Sequence, residues 1–207
     1  MNTLSILQHQ VIPHSTLSAL LSDYSRPNAK ISRLTHQGEL IALKKGLYAL
    51  SGNQSPPKEL IANHLLGPSY VSRQWALSYY GLLTERVIEV TSMCLGRSKD
   101  FENALGRFSY HAIPPHYYSL GQTSIVQADS AFVMATPEKA LCDLILSVRN
   151  LRLQSIEAML VYLLEDLRLY EGDLEGMDIE IIRGFKQANY KAATLSKLVY
   201  ALEVLYG

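Results

Sequence analysis

Basic side chains crowd the amino-terminal quarter of this 207-residue chain, where Arg26, Lys30, Arg33, Lys44 and Lys45 face only Asp23 and Glu39 within residues 1–52. Ammonium and guanidinium groups at this density neutralise phosphate oxygens, and Arg and Gln in one row can also read base edges through paired donors and acceptors. Ser32, His36 and Gln37 interleave with the cations. The expected contact set for double-stranded DNA is therefore Arg26, Lys30, Ser32, Arg33, His36, Gln37, Lys44 and Lys45. The whole chain balances 19 basic against 19 acidic residues, so residues beyond 52 carry a negative surplus, and any polyanion contact is expected to stay amino-terminal.

The elements that must position these side chains follow from pattern. Residues 28–37 have helical periodicity, with Ile31 and Leu34 on one side and Lys30, Arg33 and Gln37 on another. Pro27 suits the first turn and Gly38 the left-handed end. Apolar runs at 40–43 and 47–50 flank Lys44-Lys45-Gly46, which reads as a hairpin whose tip carries two cations. Residues 3–8 and 14–24 supply scaffold helices. The order helix, helix, turn, helix, hairpin predicts a winged helix-turn-helix over 1–52. SGNQSPPK at 51–58 is expected to be a linker that need not pack.

Beyond it, 58–207 reads as a larger mixed α/β domain with a helical carboxyl-terminal layer, giving an α+β chain overall. Helices are expected at 58–66, at 73–80 with Ser72 as cap, and at 137–147 with Thr136 as cap. Strands are expected at 87–93 and 107–113, paired as a long hairpin across the polar stretch 96–106, with a third at 131–134. From residue 154 onward, stripes such as Ile156, Leu160 and Leu163, or Leu195, Val199 and Leu202, are helical.

The basic hairpin ending GLYAL, PSYVSRQWALSYYGLLTE at 68–85, VIEVTSM at 87–93 and ATPEKALCDLIL at 135–146 together resemble the AbiEi-type antitoxins of type IV toxin-antitoxin systems, over residues 1–150. The resemblance implies an amino-terminal winged helix before a larger domain, repression of the protein's own promoter, and opposition to a nucleotidyltransferase toxin. Residues beyond 150 carry no such likeness.

Other residue groupings point away from catalysis. Lys139 and Asp143, four apart on one helix, read as a surface pair, with Glu138 complementing the helix dipole. A nuclease needs convergent carboxylates, and Glu89, Asp100 and Asp129 form no standard motif. The six histidines include no metal-binding pair on a helix, Ser72 has no assignable catalytic partner, and glycines form no phosphate-cradling cluster. The chain is thus expected to be no enzyme and to hold no metal or cofactor. A different class, a ligand-sensing regulator or enzyme with a pocket lined by Tyr79, Tyr80, Tyr117 and Tyr118, is the alternative. Cys94 and Cys142 lie in apolar surroundings without C-x-x-C spacing, and the start MNTLSILQHQ lacks the pattern of a secretion signal. The longest apolar run, 158–164, is too short for a bilayer, so a cytoplasmic protein without membrane contact is expected, acting as a homodimer or as repeated monomers.

Overall fold

The computed structural model describes residues 3–127, 130–148 and 153–206. A 3-10 turn at Thr3–Leu7 leads into β1 (Ile12–Pro13), α1 (His14–Leu20), α2 (Pro27–His36), β2 (Leu40–Lys44) and β3 (Leu47–Leu50), the strands forming an antiparallel sheet in the order β1-β3-β2. Gly38 and Gly46 take the positive φ values that the end of α2 and the β2–β3 turn require. The second scaffold helix stops at Leu20, short of the expected residue 24. Arg26 precedes Pro27 and is held out of the helical region, so the chain between must turn.

Alternation along β3 explains why both strands read as continuous apolar runs. Leu50 joins Leu17, Leu21, Ile31, Leu34 and Leu40 in a small core under α1 and α2, and Tyr48 packs against it. Leu47 and Ala49, with Leu43 of β2, turn the other way into the large core. The small sheet is therefore buried on both faces, the condition that removes polar alternation. The linker, expected to be free, is fastened. Pro56 is buried, the Ser55 hydroxyl donates to the Leu50 carbonyl at 2.8 Å and the His9 amide to the Gln54 carbonyl at 2.9 Å.

The larger unit comprises α3 (Lys58–Leu65), β4 (Ser69–Val71), α4 (Arg73–Tyr79), β5 (Val90–Cys94), β6 (Lys99–Asn103), β7 (Gly106–Ala112), α5 (Pro115–Tyr118), β8 (Gln122–Gln127), β9 (Ser130–Ala135) and α6 (Pro137–Ser147). Its six strands run β6-β7-β5-β4-β9-β8. The expected hairpin of residues 87–93 with 107–113 is corrected. β5 and β7 do pair, but in parallel, with Met93 opposite His111, because the polar stretch between them contains β6, the true hairpin partner of β7. The edge position of β6, with Lys99, Asp100 and Glu102 exposed, disguised it as loop. Four helices, α7 (Ile156–Val161), α8 (Glu171–Glu175), α9 (Ile179–Phe185) and α10 (Ala192–Tyr206), complete the chain, with a π-helical turn at Tyr162–Asp166. The fold is α+β, with a helical carboxyl-terminal layer.

Both faces of the six-stranded sheet are covered, α3 lying on one and α4 and α6 on the other. α6 begins as its sequence predicts, with the Thr136 hydroxyl accepting from the Lys139 amide, but its interior is unexpected. Lys139 and Asp143 are no surface pair: both are fully buried, 3.4 Å apart. The Lys139 ammonium donates to the Tyr117 carbonyl at 3.0 Å and lies over the Tyr117 ring. One Asp143 oxygen accepts from the Tyr70 hydroxyl at 2.9 Å and the Ser72 hydroxyl at 2.7 Å. Ser72 stands at the start of α4, yet its side chain makes no capping bond and serves this carboxylate instead. Burial pulls the Lys139 ammonium down to about 8 and pushes the Asp143 carboxyl up, Lys139 opposing that rise.

Removing one member leaves the other charged and alone in the core, whereas removing both leaves a packing problem only. Lys139→Met and Asp143→Leu are each expected to cost about 3–5 kcal/mol, and the double variant much less than their sum, in urea unfolding. A second expectation concerns alkali. Burial, reinforced by Asp143, raises the Tyr70 and Tyr117 hydroxyls far above the ordinary tyrosine range. Above pH ~10 the unfolded chain releases these protons while the native chain keeps them, so stability falls with rising pH by about 1.4 kcal/mol per unit for each hydroxyl. Urea midpoints between pH 9 and 11 should show Tyr117→Phe losing one such increment of slope.

Candidate nucleic-acid interface

α2 buries Ile31 and Leu34 against the small core and turns the rest of its circumference outward. Arg26, Ser32, Arg33, His36 and Gln37 are exposed, and Lys30 is half-buried with its ammonium 5.3 Å from the centre of the Tyr24 ring. At about 100° per residue, Arg26, Lys30, Arg33 and Gln37 form one stripe, with Asn28, Ser32 and His36 beside it. This second face forms one wall of an open groove of about 360 Å³, whose other walls include His14, Ala42 and Tyr48. His14, Asn28 and Tyr48 were not anticipated. The His14 and Tyr48 rings meet at 6.3 Å only because β1 pairs with β3, a contact without local signature.

The hairpin tip departs from expectation. Lys45 is exposed at the turn, but the Lys44 ammonium donates to the His64 carbonyl at 3.1 Å and the Leu65 carbonyl at 2.7 Å. These are the last carbonyls of α3, unpaired within the helix and carrying the negative end of its dipole. Partial burial and the nearby Lys99 push the Lys44 ammonium down from its ordinary value. Lys44, an exposed residue, therefore also joins the small unit to the large one through its ammonium, whereas Lys45 makes no such bridge among the described residues. The clamp is reinforced where edge strands adjoin, the Asn103 side chain donating to the Leu43 carbonyl at 3.3 Å.

Among the described residues no cluster of His, Cys, Asp or Glu could hold a metal ion, and Asp129 lies outside them. The four tyrosines line no common pocket. Tyr79 is exposed and meets Phe132 edge-on, the Tyr80 hydroxyl donates to the Ala135 carbonyl, Tyr118 packs on Tyr70, and Tyr117 is buried beneath Lys139. Cys94 and Cys142 are buried and unbridged. Among the described residues no helix is long and apolar enough to cross a membrane.

No family model and no curated protein matches the chain. Among solved structures, the crystal structure of the RV2827C protein from Mycobacterium tuberculosis is similar over 95% of this chain and 75% of that one, at 15% identity and a TM-score of 0.48.

The two hairpin lysines should separate experimentally. Lys44→Ala unclamps α3 and is expected to lower the thermal midpoint by about 2 °C. Lys45→Ala, at an exposed turn, should leave the midpoint unchanged. Calorimetry of the two variants checks the assignment.

Proposed function

We propose that residues 3–50 form a winged helix-turn-helix that binds double-stranded DNA, with α2 in the major groove and the β2–β3 turn against the neighbouring backbone. The carrying observation is the outward stripe of Arg26, Lys30, Arg33 and Gln37 on a helix whose opposite side is anchored in its own small core. Three features support this reading. The sheet lies behind α2, Lys45 stands exposed at the hairpin turn beside Lys44, and the positive surplus of residues 1–52 contrasts with the acidic remainder. Phosphate contacts from these cations fix the register, and Arg33 and Gln37 present the donors and acceptors that distinguish base edges.

The particular role we assign is a sequence-specific repressor of its own promoter, acting by occupying it. The AbiEi-type resemblance of residues 1–150 extends that role to the antitoxin of a type IV system, opposing a nucleotidyltransferase toxin. No catalytic step is assigned to the chain.

Three cations on phosphate, Arg26, Lys30 and Lys45, predict a slope of log affinity against log salt of about −2.7. Gel shifts with the chain's own promoter over a salt series test this. Lys45→Ala should weaken binding to all sequences alike and flatten the slope by about one, and Arg33→Ala should also erode discrimination between promoter and random duplex. Equal affinity of wild type and the Arg33→Ala, Lys45→Ala double variant for promoter DNA would overturn the proposal.

A further inference from the structure

The six-stranded sheet ends differently at its two edges. β6 carries Lys99, Asp100 and Glu102 in solvent and lies beside β2, with the Asn103 side chain on the Leu43 carbonyl. β8, at the other end, reads Gln-Thr-Ser-Ile-Val-Gln, without a charge or a proline, and pairs with β9 in unbroken register from Gln122 opposite Ala135 to Gln127 opposite Ser130. Edge strands are ordinarily blunted by charges, prolines or bulges, because an open row of amides and carbonyls invites a further strand.

Two contacts establish which groups β8 leaves open. The Thr136 amide donates to the Gly121 carbonyl at 2.9 Å, continuing the ladder one residue past β8, so Thr123, Ile125 and Gln127, of the same parity as Gly121, face β9. Val133 shows the same alternation from the other strand. Its amide donates to Asn63 Oδ1 at 2.6 Å and its carbonyl accepts from Asn63 Nδ2 at 3.2 Å, so its backbone is turned from its partner Ser124. The amides and carbonyls of Gln122, Ser124 and Val126 therefore point off the sheet, where no hydrogen bond among the described residues takes them. Ser124 is exposed, and Val126 is 76% exposed.

We propose that β8 receives the β8 of a second copy of this chain, antiparallel about a two-fold axis at Ser124, joining the two sheets into one. The strand is complementary to itself. With the axis at Ser124, Gln122 stands opposite Val126 of the second copy and Ser124 opposite its own equivalent, and each pair exchanges both backbone bonds. Any other axis leaves at least one of the three outward residues without a partner inside β8. Thr123 then lies across from Ile125 of the second copy at the closer, non-bonded spacing, where branched side chains pack well, and the exposed Val126 is covered by the stem of Gln122. Charge permits the match: a strand paired with its own copy sets like charges near the axis wherever it carries one, and β8 carries none.

Sedimentation velocity on the full-length chain, over a concentration series reaching about 100 µM, reads the association. Wild type is expected to pass reversibly from one chain to two. Ser124→Pro removes an outward amide hydrogen that the ladder to β9 does not use, and Ser124→Lys sets two ammonium groups against each other at the axis. Each should weaken dimerisation at least tenfold, with the thermal midpoint equal to that of wild type at a dilution where wild type is a single chain. Ser124→Glu should act as Ser124→Lys does, and an equimolar mixture of those two variants should associate again, because opposite charges then meet at the axis. A wild type that stays a single chain throughout, a dimer that survives Ser124→Pro and Ser124→Lys, or a mixture that fails to associate overturns the proposal. The result is independent of the promoter-binding reading, because mass is measured without DNA and β8 lies outside residues 3–50.

Discussion

A lysine and an aspartate, both removed from water and set one helical turn apart on α6, constrain this protein more than any other pair. Desolvating two charges is costly, and their attraction offsets that cost only when the remaining hydrogen-bonding capacity is largely filled. Tyr70 and Ser72 on one side and the Tyr117 carbonyl on the other do the filling. In doing so they fix where α6 lies against β4, where α4 begins, and how α5 approaches the sheet. The Tyr117 ring then meets Phe185 and Tyr190, so the carboxyl-terminal helices inherit their position from the same cluster.

The amino-terminal unit is held by different means. It has its own small core, but its sheet also offers Leu43, Leu47 and Ala49 to the large core, and α3 receives the Lys44 ammonium at its carbonyl end. With β2 against β6 and the linker pinned through His9 and Ser55, that sheet face is committed to the larger domain. α2 is left on the outer side of the unit, its cations in solvent.

Helix α2, with its proline start, glycine end and charged stripe, was legible because each signal is local: propensity, capping and a period of 3.6 act within one element. The β2–β3 hairpin and the start of α6 were readable on the same grounds. Strand β6 escaped because it carries exposed charges at Lys99, Asp100 and Glu102, as a loop does, and the parallel pairing of β5 with β7 followed only once β6 was found. Of the expected contact residues, those on α2 owe their exposure to the helix itself, whereas the role of Lys44 depended on a helix terminus twenty residues away.

The amino-acid sequence alone thus determined α2, the β2–β3 hairpin, α3, α4 and α6, the positive charge of α2, and the α+β character, all of which arise from interactions between residues a few positions apart. Only the tertiary structure decided that Lys139 and Asp143 are interior, that Ser72 serves a carboxylate 71 residues away, and that Lys44 is a clamp. The physical reason is common to all three. A polar side chain's pattern on its own helix or strand shows which way it points, but whether water, a carbonyl or an opposite charge waits there depends on which distant surface folds against it.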